Sequence, residues 1–222
     1  NPTNLSKAKA YLKHYESFEA NPIYLDSSKY YLDKLSIEQS YQLYIQYYYL
    51  QKEYAAIINL DMKYSGKDLF GNNTEEKALC LSRIAESYAL SDIDKKALSY
   101  YNKANKLSPY HLDIKIKLGV QLLKMNELVG AKKEFLSIIE EYPEYKEAYC
   151  NLGYLAILDN DFKLSEKYLN KAISLDPDYV QAYENLVLSA QIQNKMEQAK
   201  VYLKKILEIA PEHKAKEILQ KL

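Results

Sequence analysis

The side chains that most often carry catalysis or bind metals are present in this chain, but their spacing predicts no such site. The three histidines, His14, His111 and His213, are dispersed, and no HxxxH or HExxH pair occurs. The two cysteines, Cys80 and Cys150, are too few for a disulfide framework and do not form a metal-binding pair. We therefore predict no metal ion, and we interpret each cysteine as a small buried apolar residue.

Acidic pairs and glycines also lack the arrangement that enzymes use. Paired acids fall at predicted turns or helix ends, where carboxylates are usually solvated and form no acid–base constellation. The pairs are Asp92/Asp94, Glu140/Glu141 and Asp159/Asp161. None of the glycines forms a GxGxxG or GxxxxGK run that would cradle phosphates. The sequence predicts a protein that is not an enzyme and that uses no cofactor.

The charge balance and the hydropathy pattern exclude further classes. There are 30 basic and 30 acidic residues, so the chain lacks the positive surface that binding to nucleic acid or an anionic membrane requires. No run of about 18 apolar residues occurs, which predicts no membrane span. The chain begins at Asn1 rather than Met, which is compatible with a signal peptide or lipid anchor that has been removed. A cytoplasmic location and an exported, periplasmic location are therefore both compatible with the sequence. Richness in Lys, Tyr, Ile and Asn suggests an A+T-rich, bacterial genome.

A regular spacing of prolines marks an internal repeat. Pro109, Pro143, Pro177 and Pro211 follow one another at intervals of 34 residues, and each lies between two helical patterns. Proline ends one helix and begins the next because it lacks the N–H group that a helix interior needs. The spacing therefore predicts a series of helical hairpins.

Small and apolar residues recur at fixed distances before each proline and define the two helices of each hairpin. In the second helix, a small residue is followed four and seven residues later by larger or apolar ones, which places all three on one face. These columns are Ala97, Ala131, Ser165 and Ala199, then Tyr101, Phe135, Leu169 and Leu203, then Ala104, Ile138, Ala172 and Ile206. The column of the first helix is Ile84, Leu118, Leu152 and Leu186.

The clearest unit runs from Ala148 to Pro177 and reads AYCNLGYLAILDNDFKLSEKYLNKAISLDP. Its signature residues are Tyr149, Leu152, Gly153, Ala156, Phe162, Leu169, Ala172 and Pro177. In these residues the unit resembles the tetratricopeptide repeat, and it departs from the pattern only at Ser165, where alanine is expected. The resemblance implies an all-α, right-handed α-solenoid, or superhelix, of helix–turn–helix hairpins. In that family the first helices line a concave groove and the second helices face outward.

On this basis we predict four repeats, at residues 78–111, 112–145, 146–179 and 180–213. Residues 214–222 are predicted to form a C-terminal capping helix, because an apolar stripe that ends at Leu222 lies opposite a charged face.

The N-terminal third is predicted to be less regular. Residues 36–77 are expected to form a divergent hairpin, with one helix from a capping box at Ser36 to about Leu50 and another over residues 52–64. The segment SGKDLFGNNT then forms a loop with about seven extra residues. Residues 1–35 are predicted to be helices, either a cap or a degenerate repeat, with an apolar stripe that reaches Phe18 and a short helix after Asp26.

The resemblance also indicates which residues face the groove. They are Leu79, Arg83, Glu86, Ile116, Lys117, Val120, Lys124, Cys150, Asn151, Tyr154, Leu158, Asn185, Leu188 and Ile192. We expect an amphipathic helix or extended segment of a partner protein to bury apolar side chains there, while Lys117, Asn151 and Asn185 hold its backbone or termini. The other interpretation is that some of these side chains pack between neighbouring helices.

A tyrosine run offers a second candidate surface, formed by Tyr41, Tyr44, Tyr47, Tyr48 and Tyr49. Its rings would form a binding face or a dimer interface. The interpretation that we favour is that Tyr44 and Tyr47 pack between hairpins while the others reach water.

Three functions are compatible with the sequence. The first, which we favour, is a non-catalytic scaffold or adaptor that binds a partner peptide or helix in the groove. The second is a self-assembling structural scaffold, a homo-oligomer through the tyrosine-rich N-terminal helices. The third is a regulatory or targeting domain of a larger protein.

Overall fold

Helices and their connecting turns make up the described part of the chain. The computed structural model describes residues 2–17, 21–70 and 72–221, and no strand occurs within these ranges. Phe18 and Leu222, the predicted ends of two apolar stripes, lie outside the described residues. The chain divides into two units, residues 1–125 and residues 126–222.

Each unit is a succession of helices of similar length. The helices of the first unit are α1 (Pro2–Ser17), α2 (Pro22–Leu32), α3 (Ile37–Leu50), α4 (Tyr54–Lys63), α5 (Thr74–Ala89), α6 (Asp94–Leu107) and α7 (Leu112–Lys124). Those of the second unit are α8 (Leu128–Glu141), α9 (Lys146–Leu158), α10 (Phe162–Leu175), α11 (Val180–Ile192), α12 (Met196–Ile209) and α13 (Ala215–Lys221). Most connections are so short that consecutive helices must run antiparallel.

Packing within each unit follows one rule. Each helix packs on the next, and the first helices of successive hairpins also touch: α1 with α3, α3 with α5 and α5 with α7 in the first unit, and α9 with α11 in the second. Among the described residues, second helices do not pack extensively on one another. The first helices therefore form a continuous inner row in each unit, and the second helices lie on the outside.

The residue columns that mark the repeat form the packing surfaces. The small residues of the second helices are all fully buried, and the two apolar columns that follow them are almost fully buried. A small side chain at these positions lets the backbones approach closely. Gly153 shows how closely, because a Cβ atom added there would lie 2.6 Å from the side chain of Leu169 in α10.

The turns after α3, α5, α9 and α11 share one capping structure. In the turn after α3, Lys52 N–H donates to Tyr49 O and Glu53 N–H donates to Tyr48 O, at 3.0 and 2.9 Å. This pair of bonds is a Schellman motif, which requires a left-handed residue just after the helix. The left-handed residues of the five hairpin turns are Lys52, Asp92, Asn126, Asn160 and Asn194, with φ between 56° and 61°.

Two of the predicted N-terminal helices have different limits from those expected. The second helix begins at Pro22 rather than after Asp26, because Asn21 Oδ1 accepts the Ile23 N–H at 3.0 Å and Pro22 suits the first helical turn. The helix predicted for residues 52–64 begins at Tyr54, because Lys52 is left-handed. Helix α3 does start after Ser36, although the Ser36 hydroxyl makes no capping hydrogen bond.

A buried carboxylate joins three helices of the first unit. Asp61 of α4 accepts hydrogen bonds from Tyr88 Oη of α5 at 2.7 Å and from Tyr100 Oη of α6 at 2.6 Å. The Lys96 ammonium donates in turn to Tyr88 Oη at 3.3 Å. Burial, followed by the bond to Asp61, raises the pKa of both tyrosines. The second unit uses apolar side chains between its helices, whereas here a polar cluster joins them. The hydroxyl groups of Tyr88 and Tyr100 are both hydrogen-bonded to Asp61.

We expect Lys52→Asn to stabilise the protein. The left-handed conformation costs a lysine about 1 kcal/mol, and asparagine adopts it more readily, so the free energy of unfolding should rise by about 0.5–1 kcal/mol. Urea unfolding monitored by circular dichroism measures this change. The matched control is Asn160→Lys, which should lower stability by a similar amount, and a neutral or opposite result for both changes would contradict the turn assignment.

We expect stability to fall at alkaline pH through the Asp61 cluster. The pKa of Tyr88 is raised in the folded state, so its contribution is fully present below the unfolded-state value of about 10 and is lost as pH rises beyond it. Between about pH 10 and about pH 11, the free energy of unfolding of the wild type should fall as pH rises. In Tyr88→Phe this fall should be smaller, by up to about 1.4 kcal/mol per pH unit. An unchanged slope in urea unfolding would show that Tyr88 ionises normally.

Candidate functional site

The inner face of the second unit carries an apolar patch. Tyr154 and Leu158 lie one turn apart on α9, and Leu188 and Ile192 occupy the equivalent places on the adjacent helix α11. Leu158 is 41% exposed and Ile192 is 49% exposed, while Tyr154 and Leu188 are half-buried. We call these four residues the apolar patch. Side chains of this kind are usually covered in a monomer, so their exposure marks a candidate interaction surface.

Two asparagines and a buried cysteine lie next to the apolar patch. Asn151 Nδ2 donates to Glu147 O at 2.9 Å, and Asn185 Nδ2 donates to Cys150 Sγ at 3.2 Å. Each bond uses one of the two protons of the amide group, so each amide keeps capacity for another partner. Cys150 itself is only 1% exposed, and burial raises the pKa of its thiol to about 11. The prediction that Cys150 lines an open groove therefore needs correction, because its thiol packs between α9 and α11.

The inner face of the first unit is a network of paired charges. Arg83 Nη2 lies 3.2 Å from Glu16 Oε1, which also accepts Gln46 Nε2 at 2.8 Å. Lys117 Nζ lies 2.7 Å from Glu86 Oε2, to which Tyr49 Oη donates at 2.8 Å.

The pairing determines the charge state of Lys117. Burial alone would lower the pKa of Lys117, but the bond to Glu86 and the charge of Asp113, 3.0 Å away, outweigh it and raise the pKa. Lys117, Arg83 and Glu86, which we expected to contact a partner, thus already have partners within the chain.

The remaining predicted groove residues of the first unit differ in exposure. Val120 is exposed, and Leu79 and Ile116 are half-buried. Lys124 forms ion pairs with Asp92 at 3.0 Å and with Asp94 at 2.9 Å, so its charge is also balanced. The inner face of this unit therefore presents few apolar side chains to a partner.

The tyrosine run of α3 is largely packed. Tyr47 is buried as predicted, and Tyr44 is half-buried and donates to Asp33 Oδ1 at 2.6 Å. Tyr48 and Tyr49 are also half-buried. Tyr41 was expected to reach water, and this expectation was wrong. Its ring is buried edge-on against Tyr64 and Phe70 of the loop after α4.

Sequence reasoning did not find Glu16 or Tyr49 as members of the charged network. Glu16 is separated from Arg83 by 67 residues, so no local pattern connects them. The left-handed turn residues were also missed, although asparagine at positions 126, 160 and 194 repeats with the period of the prolines and would have indicated them.

Metal binding and membrane insertion find no support in the part of the chain that the structure describes. No group of His, Cys, Asp and Glu there is arranged to hold a metal ion. No described helix combines the length and the apolar character needed to cross a bilayer.

Comparison with known proteins finds the same repeat in part of the chain. The tetratricopeptide repeat model matches residues 146–179 and 180–213. Anaphase-promoting complex subunit CDC16 of Saccharomyces cerevisiae is 32% identical over 92 residues, which is 41% of this chain and 11% of the yeast protein. The match thus spans only a small part of that relative.

Solved structures show the same fold over nearly the whole chain. PilF of Pseudomonas aeruginosa has a TM-score of 0.67 at 13% identity, covering 99% of this chain and 96% of its own. A MamA double mutant has a TM-score of 0.65 at 17% identity, covering 82% and 98%. YrrB, described as a tetratricopeptide repeat protein with an unusual peptide-binding site, has a TM-score of 0.58 at 17% identity, covering 97% and 100%.

The fold and the repeat together define the class as an all-α protein of stacked helical hairpins. The predicted fold class, an all-α solenoid of helix–turn–helix hairpins, is confirmed, and two of these hairpins match the tetratricopeptide repeat. Proteins with this fold serve as scaffolds for protein–protein interaction.

Proposed function

We propose that the chain is a non-catalytic adaptor that binds a segment of a partner protein on the inner face of α9 and α11. The apolar patch is the observation that carries this proposal. It presents four large apolar side chains in two equivalent pairs, and two of them are more than one-third exposed. Covering such side chains is the main source of free energy when a peptide docks in a groove.

The surroundings of the patch indicate the kind of segment that fits. Glu184, at the start of α11, lies 3.2 Å from Lys214 Nζ and 3.4 Å from His213 Nε2, so its charge is balanced within the chain. A partner therefore needs no strong charge of its own. The amides of Asn151 and Asn185 can bond to peptide groups, which favours a segment with apolar anchors about one helical turn apart. The similarity to YrrB, a protein described as having a peptide-binding site, supports this kind of function.

Selection from a random peptide library displayed on phage, with the purified full chain as bait, tests the proposal. We expect the selected peptides to carry apolar anchors, because these residues fill the patch. Leu158→Glu and Ile192→Glu should each weaken binding of the selected peptides by about tenfold or more. Each variant places a carboxylate against the apolar anchors of the bound peptide.

The matched control is Val201→Glu on the outer helix α12, where Val201 is 63% exposed and a charge costs little. This variant should bind the peptides as the wild type does, and all variants should keep the wild-type circular dichroism spectrum. Peptides that bind Leu158→Glu and Ile192→Glu with unchanged affinity would show that the patch is not the binding site.

Self-association through the N-terminal helices is a second candidate function. On α2, Ile23 and Tyr30 are exposed, and Tyr31 stacks on Tyr11 of α1 with ring centroids 5.8 Å apart. A second copy of the chain could cover this surface.

Sedimentation velocity distinguishes the two functions. Self-association predicts a sedimentation coefficient that rises with concentration from about 1 to about 100 μM, and a smaller rise for Ile23→Glu together with Tyr30→Glu. A constant coefficient at the value of the monomer over this range would exclude a homo-oligomer as the functional form and leave the adaptor.

A further inference from the structure

The loop after α4 interrupts the repeat and forms one wall of an open cavity. This loop contains the extra residues that separate the divergent hairpin from the first regular repeat. Residues 64–68 and Phe70 of this loop, together with α3, α4, α5 and α6, line a cavity of about 420 Å³. Cavities of this size are typical of sites for small ligands, and irregular loops on a rigid scaffold often carry binding residues.

The walls of the cavity are aromatic and are held in place. Tyr41 lies edge-on to Tyr64 and to Phe70, with ring centroids 6.2 and 5.5 Å apart. Tyr100 is anchored because its hydroxyl donates to the buried carboxylate of Asp61 at 2.6 Å. Phe70 also packs against the buried cluster that includes Leu81. The rings are therefore preorganised to receive a flat apolar group.

The acidic residues of the cavity have partners within the chain, whereas two of its lysines form no direct ion pair. Asp68 is bound by Lys77, with Nζ 3.2 Å from Oδ1, and the Asp61 carboxylate is engaged by two tyrosine hydroxyls. Lys67 and Lys103 form no direct ion pair with a carboxylate that the structure describes, although the charge of Lys67 also acts on the Glu38 carboxyl group. Their ammonium groups lie over rings of the same cavity instead, Lys67 at 5.7 Å from the Tyr64 centroid and Lys103 at 4.7 Å from the Tyr100 centroid. Two positive charges therefore remain available to a ligand.

We propose that this cavity binds an aromatic carboxylate, either as a free acid or as the C-terminal residue of a peptide. The ring of the ligand would pack among Tyr41, Tyr64, Phe70 and Tyr100, and its carboxylate would pair with Lys67 and Lys103. A cationic ligand is disfavoured, because the lysines repel it and the carboxylates already have partners. The site lies in the first unit and is independent of the apolar patch, so it extends the function proposed above.

Titrations of the isotope-labelled full chain, followed by amide NMR shifts, test this site with three probes. N-acetyl-phenylalanine should shift amides of residues 64–70 and 100–107. Its neutral amide, N-acetyl-phenylalaninamide, should bind at least about tenfold more weakly, because it cannot pair with the lysines. Phenethylammonium should cause no shifts there. Equal affinity for the acid and the amide, or shifts confined to other residues, would overturn the proposal.

Lysine variants connect the affinity to the assigned residues. Lys67→Gln and Lys103→Gln should each weaken binding of N-acetyl-phenylalanine several-fold, by about threefold or more. Lys106→Gln is the matched control, because Lys106 is exposed on the same helix as Lys103 and does not line the cavity. An equal loss in all three variants would indicate only a general effect of charge and would refute the site.

A peptide distinguishes the two sources of the ligand. The acetylated tetrapeptide Gly-Ser-Gly-Phe with a free carboxyl end presents the same chemistry on a chain. Tighter binding of this peptide than of N-acetyl-phenylalanine would identify a chain end as the ligand, and exclusion of the peptide would identify a free acid. Failure of both to bind would overturn the proposal, and the apolar patch of the second unit would be unaffected.

Discussion

The close approach of paired helices is the constraint on which the rest of the structure depends. No hairpin of this length can cover its own apolar face, so each must pack against its neighbour. The second helices meet this need with a fully buried small residue every 34 positions, followed by apolar side chains of matching size. At Gly153 there is no room for even a methyl group without displacing Leu169. Such close spacing between backbones leaves little tolerance, and it explains why a small residue recurs at the same place in each second helix.

The inner row of first helices carries the residues that this packing does not use. Because the packing columns occupy one face of each first helix, the residues between them are free to differ. The two units use that freedom in opposite ways. In the first unit the inner face is occupied by internal ion pairs, with Glu86 shared between Tyr49 and Lys117. In the second unit the equivalent positions carry the apolar patch, whose side chains gain most from being covered. A partner gains more from covering the second face than from competing with the ion pairs of the first.

The loop after α4 shows how an irregular segment is accommodated in a regular array. Its extra residues do not disturb the packing columns, since Ile57 of α4 and Ile84 of α5 remain fully buried. They instead place Tyr64 and Phe70 over Tyr41 and so build an aromatic cavity between helices. The Asp61 cluster borders this cavity and holds Tyr100 in position. Polar and aromatic residues that a regular repeat would exclude are tolerated here because each has a partner within the first unit.

The sequence by itself determined the repeat, the helices and the residues that pack them, because close packing selects residue size at every recurrence and leaves a period that can be read. It also indicated Leu158, Leu188 and Ile192 as inner-face residues through the family resemblance. Only the tertiary structure decided that Glu16 pairs with Arg83 and that Tyr41 packs under the loop. These contacts join residues that are far apart in the chain. No local period records them, because a repeat in the sequence reports only contacts that recur in each hairpin.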